Sequence, residues 1–194
     1  MAAVNINTSA FGFRPLAAGL TGSPGRVKQY AQPASDSHTI FQNDLVTQVA
    51  SSSVSDTGYP APAMRNIESY SQATPGTTPI LGAVLNGGKP SLLQYFLVMD
   101  DPMALFVAMF GNDVPTAFTV AVQGGRNANV ANSAAAAGAL HSAMYVEDTG
   151  NATTNTLDLK INGMLAQAPN VEAAYAIVEV KINRHQLENQ VAGV

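Results

Sequence analysis

Short apolar runs, separated by Gly, Pro and small polar residues, fill the sequence from about residue 40 onward and limit the folds it can form. Two of them, residues 157–161 and 177–182, alternate strictly between apolar and polar side chains, as a strand with one buried face does. Other runs of strand length cover residues 45–49, 80–85, 95–99, 104–110, 117–122 and 143–146. Many short strands with turn residues between them predict an all-β fold, either a barrel or a jelly-roll-like sandwich.

Local patterns give three finer expectations. The Ala-rich residues 130–140 are the main helix candidate, because alanine has the highest helix propensity; a loop over the rim of the barrel is the alternative. Residues 143–146 and 157–161 flank a polar stretch, which predicts a hairpin with a long loop. Asn86, Gly87 and Gly88 tolerate positive φ, which predicts a tight turn.

The first 33 residues differ from the rest because Gly and Pro recur too densely for a helix or a regular sheet ladder. The same segment is too apolar for a free tail, since it contains Phe11, Phe13, Leu16, Leu20 and Tyr30. Such side chains must pack on the chain's own core or on a neighbouring subunit. We expect an extended, ordered N-terminal arm over residues 1–33 and a β domain over residues 34–194.

Composition narrows the choice of partners. Nine Lys and Arg oppose 13 Asp and Glu, a net charge of -4, which argues against a nucleic-acid partner. Charged residues make up only 11% of the chain, and so neutral a surface favours association. Cysteine is absent, which excludes disulfides and thiol chemistry. No run approaches the roughly 18 apolar residues that cross a bilayer, and a secretory signal is lacking. We expect no membrane association and a cytosolic site of assembly.

Residues able to carry chemistry are present but do not form a recognisable site. Ser35, Asp36, Ser37 and His38 have the side-chain types of a catalytic triad, without a nucleophile elbow or oxyanion-hole motif. The adjacent carboxylates of Asp100 and Asp101 fit a polar cap that closes a strand better than they fit a cation site. Residues 82–89 lack the spacing of a phosphate-binding loop, and the histidines are far apart. We therefore expect no enzyme, cofactor or metal.

Several strings, taken together and in order, resemble the capsid cement (decoration) proteins of tailed bacteriophages. They span nearly the whole chain and are Gly12-Phe13-Arg14-Pro15, Gly22-Ser23-Pro24, Ile80-Leu81-Gly82, Asp100-Asp101-Pro102, Ala104-Leu105-Phe106, Leu157-Asp158-Leu159-Lys160-Ile161 with Gly163, and Val180-Lys181-Ile182-Asn183-Arg184-His185-Gln186-Leu187.

This resemblance implies a β-rich, non-enzymatic subunit that binds the outside of a phage head and locks neighbouring major capsid proteins together. The partners implied are the major capsid protein and further copies of the chain, as a homotrimer or alternatively a dimer. Candidate contact residues are Phe11, Phe13, Arg14, Pro15, Tyr30, Arg184 and His185. The alternatives are another phage structural component, such as a tail part or a module that binds host glycans, and a small hydrolase using His38 or His185.

Overall fold

The computed structural model describes residues 9–16, 25–32, 38–49, 66–70, 76–87, 94–111, 118–132, 141–167 and 169–188, and these form antiparallel sheets in a sandwich-like arrangement. The strands are Arg14–Pro15 (β1), Val27–Gln32 (β2), Leu45–Gln48 (β3), Ile67–Ser69 (β4), Gly82–Val84 (β5), Gln94–Met99 (β6), Leu105–Met109 (β7), Asn127–Ala128 (β8), Val130–Asn132 (β9), Met144–Val146 (β10), Leu159–Met164 (β11) and Ile177–Ile182 (β12). In these described ranges one α-helical turn, Val120–Gln123 (α1), interrupts them. The predicted all-β fold is confirmed.

The strands form two five-stranded sheets and one ribbon. The first sheet has the order β1-β7-β12-β11-β8, the second β2-β6-β5-β3-β4, and β9 pairs with β10. In the second sheet, a bridge between Ala31 and Asn66 brings the edge strand β2 against the opposite edge strand β4. The second sheet therefore curls toward a closed barrel at this end.

Side chains of the second sheet are buried on both of its faces. Successive strand residues point to opposite faces, and on β3 Leu45 and Val46 belong to two separate apolar clusters. The first cluster joins both sheets and includes Phe13, Ala83, Phe106 and Val180. The second lies on the other face of the second sheet and includes Tyr30, Ile40, Val84 and Phe96. Burial on both faces explains why these strands read as continuous apolar runs.

Strict alternation located two strands of the first sheet, β12 at the predicted residues 177–182 and β11 at residues 159–164, shifted from the predicted 157–161. On β12, Val178, Val180 and Ile182 are buried, while Glu179 and Lys181 are partly exposed, as the pattern predicts. The strand pairs with β7 on one side and β11 on the other. The register of β11 shifts between Ile161 and Gly163, where a bulge adds one residue.

The predicted hairpin between residues 143–146 and 157–161 is wrong. β10 pairs with β9, whereas β11 pairs with β12 and β8. The alternating apolar face of β11 matches that of β12, with Leu159 opposite Ile182 and Ile161 opposite Val180. Burial of these pairs outweighs the proximity of the two segments in sequence.

Two further expectations are corrected. Residues 130–132, the start of the predicted helix, form strand β9; residues 133–140 lie outside the described residues. Within the predicted strand 117–122, Val120 begins a helical turn instead, since Gln123 N donates to Thr119 O at 2.9 Å and Gly124 N to Val120 O at 3.0 Å. Gly125, with φ of 79°, turns the chain onward. None of the helical residues described belongs to a helix long and apolar enough to span a membrane.

The carboxylate of Asp158 joins four segments inside the sandwich and is fully buried. Its Oδ1 accepts hydrogen bonds from the Tyr70 hydroxyl at 2.7 Å and from Gly76 N at 2.9 Å, and its Oδ2 accepts one from Val130 N at 3.1 Å. Its backbone carbonyl accepts a bond from Asn183 N at 2.8 Å. Burial raises the pKa of Asp158 and that of Tyr70. This residue is a structural junction.

A second buried carboxylate, Asp44, lies where the N-terminal segment meets the body. Its Oδ2 accepts a hydrogen bond from Phe41 N at 2.8 Å, and burial raises its pKa to about 6 despite the opposing hydrogen bonds of Ser142 and Phe41. The neighbouring Asn43 O accepts a bond from Phe13 N at 2.8 Å. Gly12, the residue before Phe13, has a φ of 76°, and a Cβ atom on it would lie only 2.5 Å from Asn43 O. Only glycine fits this crossing.

Candidate interaction surface

The turn after β6 is built around the buried carboxylate of Asp100. Its Oδ2 accepts a hydrogen bond from the Tyr30 hydroxyl at 2.6 Å, and its Oδ1 pairs with Arg26 Nε at 2.8 Å. The Arg26 Nη2 also donates to the Asp100 carbonyl oxygen at 2.8 Å. Asp100 itself has no exposed side-chain area, whereas the Arg26 side chain is 43% exposed. The network fixes the start of β2 to the end of β6 and presents a cation to solvent.

The next residue, Asp101, makes the outer half of the same turn. Its Oδ1 accepts a hydrogen bond from Met103 N at 2.9 Å, and its Oδ2 accepts one from Arg26 N at 3.1 Å. These two bonds, with that of Met103 the stronger, hold the pKa of Asp101 below its ordinary value against partial burial. The Asp100 carboxylate thus fixes the buried side of the turn, and the Asp101 carboxylate fixes its outer side. The predicted polar cap at the end of a strand is confirmed.

Large exposed apolar side chains concentrate around this turn. Five are exposed in the described part of the chain, and four of them are Val27 (40% exposed), Leu97 (47%), Met103 (68%) and Leu187 (44%). We name these four the Asp101 patch. The fifth, Val120, lies on α1.

Strand register and side-chain contacts connect the members of the Asp101 patch, and Leu97 lies on the same face of β6 as Met99. Val27 pairs with Met99 on the neighbouring strand and follows Arg26, whose amide is bound to Asp101. On the far side of the turn, Lys181 Nζ lies 3.5 Å from Met103 Sδ and 3.1 Å from a carboxylate oxygen of Glu188, the residue after Leu187. The patch therefore combines apolar side chains with one partly exposed cation and one partly exposed ion pair, a composition suited to binding a protein.

The C-terminal residues predicted as contacts support one edge of this surface. Beyond β12 the chain crosses to the second sheet, where Ile80 N donates to Arg184 O at 2.7 Å and Gln186 N to Ile80 O at 2.9 Å. The Arg184 guanidinium donates to Thr77 O at 2.6 Å and to Thr156 O at 3.3 Å. These bonds hold Arg184 in the crossing, and a contact of Arg184 with a neighbouring subunit stays a prediction.

His185 is buried beneath the same crossing. Its Nδ1 accepts a hydrogen bond from Leu187 N at 3.0 Å, which fixes the backbone that carries the exposed Leu187 side chain. Burial lowers the pKa of His185, although the nearby charges of Asp100 and Glu188 act in the opposite direction. A buried, neutral imidazole fits a structural role here. The structure thus brings His185 and Tyr30 together around Asp100.

The N-terminal candidate residues lie at another place, the β1 edge of the first sheet. Phe13 is fully buried in the core and Phe11 is almost fully buried. Arg14 is exposed and its guanidinium carbon lies 4.6 Å from the centre of the Phe11 ring, a cation–π contact; Pro15 is partly exposed and pairs with Phe106. Of this group, Arg14 offers the most surface to a neighbour, and a neighbour contact stays a prediction.

No sequence pattern predicted a functional role for Arg26, Val27, Leu97, Met103 or Lys181. The Asp100-Asp101-Pro102 string marked the turn, but nothing in the local pattern connects it to Arg26, 74 residues earlier. Leu97 lies in a predicted strand, residues 95–99, whereas Val27 lies in the predicted arm and Met103 lies just before the predicted strand 104–110. Alternation carried one signal, since Leu97 and Val27 occupy the face of β6 and β2 opposite to Phe96 and Tyr30.

The other candidate chemical groups do not converge. Ser35, Asp36 and Ser37 lie outside the described residues, and His38 and His141 are exposed. Among the residues that the structure describes, no three His, Asp or Glu side chains are placed to hold a metal ion. Comparison of the chain with protein-family models, with curated proteins and with solved structures finds no match.

Proposed function

We propose that this protein is a capsid cement protein, which binds the outer surface of a tailed-phage head and locks neighbouring major capsid proteins together. The observation that carries the proposal is the Asp101 patch. Four exposed apolar side chains surround a turn held rigid by Asp100, and this turn belongs to one of the strings that resemble the cement family. A preformed apolar surface binds a partner at little conformational cost.

The rest of the chain fits the same role. A subunit that joins capsomers contacts several neighbours at once, so contacts of modest strength hold collectively. The low charge of the chain reduces the cost of covering its surface. Self-association, as a homotrimer or alternatively a dimer, would multiply the contacts further and is part of the proposal. No catalytic step is proposed for it.

The test uses heads of the phage that encodes the chain, purified without this protein, and measures binding by cosedimentation. We expect the wild type to bind in a copy number comparable to that of the major capsid protein and to raise the temperature at which heads release DNA. The double variant Met103→Asp, Leu187→Asp should bind at least tenfold more weakly, because charge enters the apolar contact. The control for one such charge is Val120→Asp, set against the single variant Leu187→Asp, because Val120 is about as exposed as Leu187 and lies outside the patch.

Thermal unfolding of each variant first establishes that it folds. Equal loss of binding in the Val120→Asp control would remove the Asp101 patch from the proposal. A wild type that is absent from heads, or that occurs in a few copies on tails, would overturn the cement function and favour a tail component. Binding to host-surface glycans in place of heads would favour the recognition module.

A further inference from the structure

Strand β2 lies at the edge of the second sheet, and its two halves differ in exposure. Val27, Lys28 and Gln29 are exposed, whereas Tyr30, Ala31 and Gln32 are buried. The buried half is covered where Ala31 bridges to Asn66 of β4. The exposed half continues the Asp101 patch through Val27. Among the residues that the structure describes, the curl of the sheet is thus closed at one end of β2 and open at the other.

Hydrogen bonding within the sheet shows which backbone groups of the open half face outward. Asp100 N donates to Arg26 O at 3.1 Å, which makes residue 26 a hydrogen-bonded position. Such positions alternate along an antiparallel pair, so Lys28 and Tyr30 also bond to β6 while Val27 and Gln29 turn their backbone groups away.

The hydrogen bonds of Leu97, which lies opposite Gln29 in the register, independently confirm which residues of β2 bond to β6 and which face outward. The N–H of Leu97 donates to Asn86 Oδ1 at 2.6 Å and its carbonyl accepts a bond from Leu85 N at 2.8 Å, both on the β5 side. Among the described residues, the N–H and C=O groups of Val27 and Gln29 therefore have no protein partner. They form a short, regular template for an added strand.

The charge of Lys28 determines which kind of strand can pair with the exposed half of β2. A second copy of β2, paired antiparallel so that both residues bond, would set Val27 against Gln29 of the copy and Lys28 directly against its own equivalent. Their Cα atoms would be about 4.5 Å apart, and like charges directly opposite are destabilising. In the described residues Lys28 has no ion-pair partner of its own. An edge lysine therefore disfavours self-pairing and favours a carboxylate opposite it.

We propose that the open half of β2 accepts an extended segment of the major capsid protein as an added strand, with an acidic side chain opposite Lys28. Apolar side chains of that segment would pack beside Val27 and Leu97. This inference rests on the proposed function and specifies how the Asp101 patch is engaged: main-chain hydrogen bonds give affinity, and Lys28 selects an acidic segment.

The test compares two variants of Gln29 for binding to the same purified heads. Gln29→Pro removes the outward N–H and no bond within the sheet, and proline is tolerated at such edge positions. Gln29→Thr changes the side chain and keeps the N–H. We expect at least a tenfold loss of binding for the proline variant and less than a threefold change for the threonine variant. Lys28→Glu should lose at least tenfold, and Lys28→Gln less.

Hydrogen exchange of the wild type provides a measurement that does not depend on any variant folding. The amides of Val27 and Gln29 should exchange fast in the free protein and slowly on heads, while those of Lys28 and Tyr30 are protected in both. Wild type that binds heads with unchanged exchange at Val27 and Gln29 would overturn the added strand and leave the cement function standing. A dimer in solution with protected Gln29 would show that a second copy occupies the edge instead. Failure of the wild type to bind heads would overturn the proposed function itself.

Discussion

Asp100 and Asp158 form two similar junctions that differ in one respect. Both carboxylates are fully buried next to the end of a strand, and each accepts a hydrogen bond from a tyrosine hydroxyl, Tyr30 at 2.6 Å and Tyr70 at 2.7 Å. At Asp100 the remaining charge is met by Arg26. At Asp158 it is met by two backbone N–H groups.

The kind of donor that meets the charge decides where each junction lies: Asp158 forms an internal junction, and Asp100 forms a junction that supports the surface. Neutral N–H donors allow the Asp158 carboxylate to lie inside the sandwich, at the cost of desolvation that raises its pKa. A guanidinium needs water or further acceptors, so Arg26 keeps the Asp100 junction at the surface, with 43% of its side chain exposed. The cation-paired junction is the one surrounded by the Asp101 patch.

The largest effect is expected at the internal junction. Asp158→Ala leaves the Tyr70 hydroxyl and the amides of Gly76 and Val130 buried without their acceptor, so the free energy of unfolding should fall by about 3–5 kcal/mol. Urea denaturation measures it. The control Glu172→Ala removes an exposed carboxylate and should change stability by less than about 0.5 kcal/mol. Equal stability of the two variants would show that Asp158 is not a junction.

The two junctions also show what the sequence could predict. Alternation located β12 to the residue, because Val178, Val180 and Ile182 are buried on one face. The end of β6 at Asp100-Asp101-Pro102 was likewise predictable from local chemistry. The partners of the carboxylates were not, because Arg26 and Tyr70 lie 74 and 88 residues away along the chain. Exposure of Met103 and Leu187 depends on how the C-terminal crossing meets the second sheet, which no local pattern reports.

Predictions from local sequence patterns were wrong at two places where hydrogen bonds favoured a different secondary structure. β-Branched residues at 119 and 120 predicted a strand, but Gly124 N bonds to Val120 O and closes a helical turn. Strand propensity is weak against such local closure next to Gly125. The Ala-rich pattern was likewise overridden at Val130–Asn132, where pairing with β10 takes precedence over helix propensity.

A smaller effect is expected at the surface junction. Arg26→Met removes the cation and leaves the buried Asp100 carboxylate with the Tyr30 hydroxyl. Because the Arg26 site is partly open to water, the loss should be about 2 kcal/mol, below that of a fully buried pair. Urea denaturation again measures it, with Arg14→Met as the control, since that exposed cation forms no ion pair in the described residues. A loss no greater than that of the control would mean that the tyrosine alone holds Asp100.

The smallest effect is the response of the cation-free carboxylates to acid. A raised pKa means that the folded state binds a proton more readily than the unfolded chain, so stability rises as the pH falls through the folded-state pKa. Asp44, with a pKa of about 6 in the fold and 3.8 unfolded, should add about 1 kcal/mol between pH 7 and pH 5, and Asp158 acts in the same direction. Asp101, whose pKa is lowered, loses its contribution only at lower pH. His185, whose pKa burial lowers, opposes the gain in this range, because its protonation favours the unfolded chain.

Denaturation at the two pH values measures this difference, and Asp44→Asn should reduce it by removing the titrating group while keeping an acceptor for Phe41 N. A wild type that is less stable at pH 5 than at pH 7 would mean that protonation of His185 in the unfolded chain outweighs the gain from the buried carboxylates. An Asp44→Asn variant that keeps the wild-type difference between the two pH values would show that Asp44 does not titrate with a raised pKa, and desolvation without a cation would then no longer distinguish it from Asp101 in its response to protons.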